Sequence, residues 1–361
     1  MTASSLSLSS LVAYDAAAAG HDGILLDPTG DLIIKPCTAA EVSFYEASVS
    51  AHPEFAELMP TFMGTLSLGV AETPVSKATL PADQTSALPL PNAVLINPIP
   101  DDRNPSLEFI KGKKIDSETS IVLENIASPF TKPCILDVKL GARLWDDAVK
   151  PEKRAKLDLL AAETTSKSLG FRIAGMRVWR AHEKDFKVYD KLYGRQLTEE
   201  NVLEGFKAFL GRERGPTNMP VSASLDDAEL AALARGLADR VTEIRNVYEK
   251  EEIRAYSASL LFVYEGDPVA FRKTLDAATL YRNTPDGVSP DEQSDLNSGE
   301  DEEESDEDGA PPRVFDIRLI DFAHATWRPG QGPDENVLHG MRNLEKTLRE
   351  LVSLLEGADG S

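Results

Sequence analysis

The sequence predicts an α+β protein with two lobes, a smaller β-rich N-terminal lobe and a larger C-terminal α/β lobe. Two observations favour this class. Strand-like runs bounded by turn residues dominate residues 20–130, whereas strands and helical periodicity alternate from residue 131 onward. With 361 residues, 42% of them hydrophobic, the chain is long enough to bury a large core in one domain or two joined lobes.

Composition sets the expected boundaries. Residues 1–19 are small and polar, and we expect a flexible arm there. The N-terminal lobe is expected at 20–130, with a Pro-, Ala- and Ser-rich surface loop at about 73–104. The C-terminal lobe is expected at 131–361. Its acidic insert, at about 283–312, is predicted to be disordered because it cannot bury enough apolar surface to offset its ordering entropy.

Local patterns place the regular elements within these lobes. Strands are predicted at 23–35 (two strands around a turn at 27–30), 120–124, 135–138, 171–178, 259–264 and 314–320. Helices are predicted at 39–52 (with Thr38 as N-cap), 151–168, 226–254 and 336–355.

Charge and cysteine content exclude several classes of protein. The net charge is −22, which argues against a general nucleic-acid binder. Residues 286–308 hold 12 of the acidic side chains and no Lys or Arg, and subtracting those 12 charges leaves −10 for the rest. No apolar run is long enough to predict a membrane span. The two cysteines, Cys37 and Cys134, predict neither a disulfide framework nor a zinc site and indicate a reducing compartment.

Three features fit phosphoryl transfer, which needs a lysine on the ATP phosphates, a carboxylate for Mg²⁺ and a group that acts on the attacking hydroxyl. Lys35 ends a predicted strand before a helix carrying Glu41, an arrangement that kinases use to hold the lysine. Asp321 follows an apolar strand and precedes a phenylalanine, as in the Asp-Phe-Gly segment of protein kinases. Asp137 and Lys139 are two apart in a strand and therefore share a face. On spacing alone, the alternatives to these roles are a surface lysine, a turn aspartate and a structural ion pair.

The segment 133–141 fits the pattern PxxxDxKxG and resembles the signature of the inositol polyphosphate kinase family. Further segments agree in the family's order, at 122–126, 175–178, 193–198, 259–266 and 320–324. The resemblance covers roughly 17–270 and 314–355. It is strongest to the fungal multikinase branch, because a short arm and an acidic insert both fit and no basic calmodulin-target helix precedes the motif.

The resemblance implies ATP and Mg²⁺ as cofactors and assigns roles to individual residues. Asp137 and Lys139 are the implied catalytic residues. The implied nucleotide-binding residues are Lys35, Glu41, Asp321 and, through backbone groups at the hinge between lobes, Glu124 and Ile126. The implied metal ligands are Asp321 and Ser259. The residues implied to bind the inositol phosphate are Lys139, Lys153, Lys156 and His324.

A basic cluster supports a polyanionic substrate. The segment from Lys139 to Lys156 contains six basic and three acidic residues, and Lys153 and Lys156 share one helix face. The alternative is that this face is simply solvated and binds no ligand. The implied activity is ATP-dependent phosphorylation of inositol 1,4,5-trisphosphate to tetrakis- and pentakisphosphate. The alternatives are a hexakisphosphate kinase, a trisphosphate 3-kinase, or a non-catalytic scaffold whose acidic insert docks basic transcription factors. The resemblance implies a monomer located in nucleus and cytoplasm. For the acidic insert, the alternative to docking transcription factors is a solubilising role.

Overall fold

The computed structural model describes residues 11–14, 23–67, 119–212, 224–283 and 312–358. Three predicted segments lie wholly or mostly outside these residues: the arm at 1–19, the loop at 73–104 and the acidic insert at 283–312. No helix in the described part of the chain has the length and apolar character that crossing a membrane requires.

The described residues form strands and helices that alternate in a mixed order. The strands are β1 (Val12–Ala13), β2 (Leu25–Leu26), β3 (Leu32–Pro36), β4 (Phe62–Ser67), β5 (Thr119–Glu124), β6 (Pro133–Leu140), β7 (Phe171–Arg180), β8 (Asp185–Tyr189), β9 (Ile253–Ala255), β10 (Ser259–Glu265), β11 (Phe315–Ile320) and β12 (Ala325–Trp327). The helices are α1 (Ala39–Ala51), α2 (Pro53–Ala56), α3 (Pro151–Ala162), α4 (Thr165–Leu169), α5 (Lys191–Gln196), α6 (Val202–Phe209), α7 (Asp227–Tyr248), α8 (Pro268–Asn283) and α9 (Glu335–Ala358).

The first sheet has the strand order β1-β2-β3-β5-β4 and belongs to the N-terminal part of the chain. The predicted turn between β2 and β3 is present, since Asp27 accepts hydrogen bonds from the Leu32 N–H at 2.9 Å and from the Thr29 hydroxyl at 2.6 Å. Thr38 caps α1 by accepting from the Glu41 N–H, as predicted. The assignment of 1–19 to a flexible arm was wrong at Val12–Ala13, because these residues pair with β2.

The second sheet has the order β11-β10-β6-β7-β8, which places the motif strand β6 at its centre. The side chains of Leu136, Val138 and Leu140 are fully buried on the face of β6 that packs against helices α6 and α9. The opposite face, with Asp137 and Lys139, is turned toward the first sheet. Two sheets on either side of a cleft, with helices behind the second, confirm the predicted two-lobed α+β class.

The motif glycine is explained by the packing of α9. Gly141 has a positive φ of +93°, and a Cβ there would lie 2.5 Å from the Asn336 amide nitrogen. The side-chain oxygen Oδ1 of Asn336 accepts from the backbone N–H groups of Ala142 and Arg143 at 2.9 and 2.8 Å. The last helix therefore fixes the chain as it leaves the motif strand.

Two predicted helices needed correction. The helix predicted at 226–254 ends at Tyr248, and Ile253–Ala255 form strand β9, which pairs with β12. The helix predicted at 151–168 is two helices, because Glu163 and Thr164 interrupt the helix between α3 and α4. Helix α8 was not predicted, and its last residue, Asn283, is helical although it falls at the start of the predicted insert.

Candidate active site

The carboxylate of Asp321 joins lysines from both lobes. Its Oδ1 accepts from the Lys35 ammonium on β3 at 2.9 Å, and its Oδ2 accepts from the Lys139 ammonium on β6 at 2.6 Å. Lys35 also donates to Glu41 of α1 at 3.0 Å, which is the predicted pair of a strand lysine and a helix glutamate. Four residues from three distant segments of the sequence therefore form one continuous ionic cluster across the cleft.

An aromatic stack holds Asp321 in place. Asp321 directly follows β11 and has a φ of +69°, a conformation that a non-glycine residue adopts rarely. The next residue, Phe322, is fully buried and stacks on Phe44 of α1 with ring centroids 4.8 Å apart. Because α1 also carries Glu41, this contact links the positions of both carboxylates that bind Lys35.

Asp137 and Lys139 lie together as the spacing predicted. The Lys139 ammonium is 3.7 Å from Asp137 Oδ2 and donates to the Ser259 hydroxyl at 2.8 Å. Asp137 is only 4% exposed, and its Oδ1 has no hydrogen-bond partner among the described residues. A buried carboxylate oxygen without a partner costs free energy, which a ligand hydroxyl or cation would recover.

Both lysines of the cluster remain charged. Burial alone would lower the pKa of Lys35, but the carboxylates of Asp321 and Glu41 outweigh it and hold that pKa above its ordinary value. For Lys139 burial is likewise outweighed, by Asp137 and Asp321, so its pKa is also raised. The cleft therefore presents two fixed positive charges at neutral pH, as binding of phosphate groups requires.

A cavity between the two sheets adjoins this cluster. Lys35, Asp137 and Asp321 lie at its polar end. Its other walls are largely apolar and come from both sheets: Ile33, Leu123, Ile126, Ile135, Leu261 and Ile320. Such a slot, with an apolar interior and charges at one end, fits a planar base attached to phosphates.

The predicted hinge residues line this cavity, with one restriction. Glu124 and Ile126 both border it, and Ile126 is buried. The Glu124 N–H already donates to the Thr61 carbonyl at 2.9 Å, and its side chain accepts from the Thr61 hydroxyl at 2.7 Å. The Glu124 N–H is therefore not free to bind a nucleotide base.

The donor set fits a hard divalent cation. Within the described part of the chain, no three His, Cys, Asp or Glu residues gather as a preformed metal cluster. Asp321 instead lies beside Asp137, with its unpartnered oxygen, and beside the buried Ser259 hydroxyl, which contacts the same lysine. Carboxylate and hydroxyl oxygens suit Mg²⁺ or Mn²⁺, which also take ligands from nucleotide phosphates.

Of the predicted substrate residues, Lys139 belongs to the ionic cluster, and the other three lie outside it. Lys153 and Lys156 are exposed on α3, and neither forms an ion pair with another described residue. The Nδ1 of His324 lies 2.7 Å from Asp146 Oδ2. Burial alone would raise the Asp146 pKa, but the hydrogen bond from His324 outweighs it and lowers that pKa, so the carboxylate is ionised and Nδ1 carries the proton. This leaves Nε2 of His324 for a ligand.

Asp146 is a site residue that sequence reasoning missed. The sequence identifies it only as one of the three acidic residues near the basic cluster. Its second oxygen accepts from the Ala148 N–H at 2.9 Å, so it fixes both His324 and the loop after the motif strand. An aspartate followed two residues later by a turn N–H is a local signal of such a loop, but the distant histidine is visible only in the fold.

The comparisons with known proteins decide the family. A family model described as inositol polyphosphate kinase matches residues 120–349, which is more than half of the chain. The chain belongs to the inositol polyphosphate kinase family. It is an inositol phosphate kinase, as the motif strand predicted. The matched residues include Asp137, Lys139, Ser259 and Asp321, whereas Lys35 precedes them.

Individual relatives refine the placement within the family. Inositol polyphosphate multikinase of Saccharomyces cerevisiae is 32% identical over 359 residues, covering 91% of this chain and 94% of that protein. Inositol hexakisphosphate kinase 3 of Mus musculus is 32% identical over 238 residues, covering 64% of this chain and 50% of that protein. The crystal structure of the S. cerevisiae inositol phosphate multikinase, in complex with ADP and Mn²⁺, is 26% identical and covers 90% of this chain and 100% of that one, with a TM-score of 0.57. The predicted likeness to a fungal multikinase is confirmed.

Proposed function

We propose that the protein is an ATP- and Mg²⁺-dependent inositol polyphosphate multikinase that phosphorylates inositol 1,4,5-trisphosphate to the tetrakis- and pentakisphosphate. The observation that carries the proposal is the Asp321 carboxylate, bound by Lys35 and Lys139 at 2.9 and 2.6 Å beside the buried Asp137. The match to the yeast multikinase over nearly its full length supports this branch. The match to the hexakisphosphate kinase spans only half of that relative.

The arrangement supports direct in-line transfer within a ternary complex. Asp137 orients the attacking inositol hydroxyl and accepts its proton as the oxygen bonds to the γ-phosphorus. The bond between that phosphorus and the bridging oxygen breaks, and ADP leaves with the electron pair. Lys139, 3.7 Å from Asp137, neutralises the transferring group, while Lys35 binds the nucleotide phosphates.

A divalent cation would be held by Asp321, with the Ser259 hydroxyl and Asp137 adjacent. When bound, such a cation neutralises charge on the phosphate oxygens. The yeast relative contains Mn²⁺ and ADP in its crystal structure, and the oxygen donors of this chain suit the same class of ion. The protein's own part is to hold these oxygens in place from three neighbouring strands, β11, β10 and β6.

Product analysis tests the proposal directly. The full chain is incubated with Mg²⁺-ATP and inositol 1,4,5-trisphosphate, and the products are separated by positional isomer. We expect sequential appearance of a tetrakisphosphate and a pentakisphosphate. A product that stops at one tetrakisphosphate would identify a trisphosphate 3-kinase. Turnover of inositol hexakisphosphate in preference to the trisphosphate would identify a diphosphoinositol-forming kinase.

A further inference from the structure

A β-bulge in β7 changes which of its side chains face the cleft. Asp137 pairs with Gly175, but Val138 pairs with Ile173, so one residue of β7 has no partner on β6. Beyond this point Lys139 pairs with Arg172, whereas before it Ile135 pairs with Arg177. Directly opposed residues of antiparallel strands project to the same face.

The bulge therefore places two arginines on the cleft face of one strand. Their spacing of five residues would put Arg172 and Arg177 on opposite faces of a regular strand. Instead they flank Gly175, which has no side chain and lies opposite Asp137. Arg177 lies on the nucleotide side and stacks on Phe186, with its guanidinium carbon 3.3 Å from the ring centroid. Arg172 lies on the other side of Asp137, away from the nucleotide cavity.

Arg172 is a largely buried guanidinium with little to compensate its charge. Among the described residues its hydrogen bond is to the Ser166 hydroxyl of α4, at 3.0 Å, and no carboxylate lies within ion-pair distance of it. Burial, together with the positive charge of Arg195, lowers the pKa of Arg172 to about 10 although Asp137 attracts it. A guanidinium with five donors and one neutral partner leaves most of its hydrogen-bonding capacity unused.

We propose that Arg172 binds a phosphate group of the inositol substrate, on the side of Asp137 that faces away from the nucleotide. A phosphate monoester supplies the anionic, multidentate acceptor that this guanidinium lacks, and it can be bound while the neighbouring hydroxyl lies against Asp137. Arg195 is exposed, and its positive charge acts on Arg172. Arg172 and Arg195 together make this side of the cleft basic. The proposal rests on the proposed function and adds a residue that selects substrates by phosphate position.

Direct binding measurements test this role. Calorimetric titration of the full chain with inositol 1,4,5-trisphosphate, and separately with a non-hydrolysable ATP analogue, gives two dissociation constants. We expect Arg172→Met to weaken inositol phosphate binding about tenfold to hundredfold, the usual value of a charge-assisted hydrogen bond, with nucleotide binding unchanged. Arg172→Lys, which keeps the charge but not the planar fork, should fall between the two. Arg349→Met is the control, because it removes the same charge from α9, behind the second sheet.

Thermal unfolding checks that each variant is folded. If Arg172→Met does not fold, the dissociation constants of Arg172→Lys are used instead. An unchanged inositol phosphate dissociation constant in a folded variant overturns the proposal. So does a loss of kcat with binding intact, since that result would make Arg172 a positioning residue for Asp137. Failure of the wild-type chain to bind any inositol phosphate would instead refute the proposed function, and the two failures are therefore distinguishable.

Discussion

Asp137 and Lys139 show how much of the chemistry depends on single side chains. A buried carboxylate with one unpartnered oxygen and an ammonium 3.7 Å from the other oxygen offer a proton acceptor and a fixed cation side by side. We expect Asp137→Asn to reduce turnover by about 10²- to 10⁴-fold, because the amide keeps the shape but cannot take a proton. Nucleotide binding should be retained, which titration with the ATP analogue checks. Near-normal turnover would remove Asp137 from its catalytic role.

Asp146 gives a second prediction at this scale. Asp146→Asn keeps an oxygen for the Ala148 N–H but removes the charge that faces His324 at 2.7 Å. We expect the KM for inositol phosphate to rise about tenfold with kcat nearly unchanged, because the imidazole loses the carboxylate that accepts from its Nδ1 and fixes its orientation. Steady-state kinetics at saturating ATP measure this.

The control for Asp146 is its neighbour. Asp147→Asn removes the same charge from an exposed residue that pairs with Arg143 in the same loop. Equal effects of the two changes would mean that loop charge, and not the histidine contact, sets substrate affinity.

Individual site residues could be predicted only where spacing or a motif carried them. Lys35, Asp137, Lys139 and Asp321 stand at strand positions whose neighbours form recognisable patterns, and the fold brings all four together. Arg172 could not be found in this way, because strand alternation from Asp137 and Lys139 cannot reveal a bulge in the neighbouring strand.

Helix α3 presents its basic face as a unit. Lys153 and Lys156 are exposed, three residues apart, and without ion pairs to other described residues. Replacing both with alanine should raise the KM for inositol phosphate about tenfold or more, since each lysine contributes a favourable charge at close range. The kcat should change little. Lys167→Ala on α4 serves as the control, and an unchanged KM in the double variant would move the phosphate contacts away from α3.

Helix α9 contains a matched pair of glycines for a stability test. A Cβ at Gly340 would overlap the carbonyl oxygen of Gly170, whereas a Cβ at Gly357 meets nothing within 4 Å. We expect Gly340→Ala to lower the free energy of unfolding by about 1–3 kcal/mol through overpacking. Gly357→Ala should raise it by up to about 1 kcal/mol, because alanine favours helix. Denaturant titration measures both, and a neutral Gly340→Ala would show that α9 can move away from β7.

The elements of the fold were predictable to different degrees. The strand β6 and the capped helix α1 follow from local patterns, because turn residues and Thr38 mark their limits. The end of α7 does not follow from local patterns, because the charged residues after Tyr248 have good helix propensity. Ile253–Ala255 nevertheless form a strand, since they pair with β12 about 70 residues later. Tertiary pairing of this kind overrides local preference and leaves no local signal.

At the scale of the whole molecule, the acidic insert should affect encounter with the substrate more than chemistry. Deleting residues 286–308 removes 12 negative charges and leaves a net charge of −10. We expect kcat to be retained and the KM for the polyanionic substrate to fall severalfold at low salt, because long-range repulsion weakens. The difference should vanish at high ionic strength. Kinetics at two salt concentrations measure it.

A loss of kcat in the deletion variant would contradict the view that this segment is dispensable for catalysis. The alternative role for the insert, docking of basic transcription factors, is separate from turnover. The same variant tests it, because loss of binding to a basic protein domain with kcat retained would separate the two roles.

The contact between α9 and the motif strand has a consequence for synthesis of the protein. The motif ends at Gly141, yet the residue that holds the following backbone is Asn336, almost 200 positions later. A ribosome delivers the N-terminal parts of a chain first, so the catalytic strand emerges long before the helix that secures it. Throughout that interval the nascent chain carries an incomplete site. A polypeptide truncated before Glu335 would contain the whole signature but lack the Asn336 side chain that holds the backbone after it.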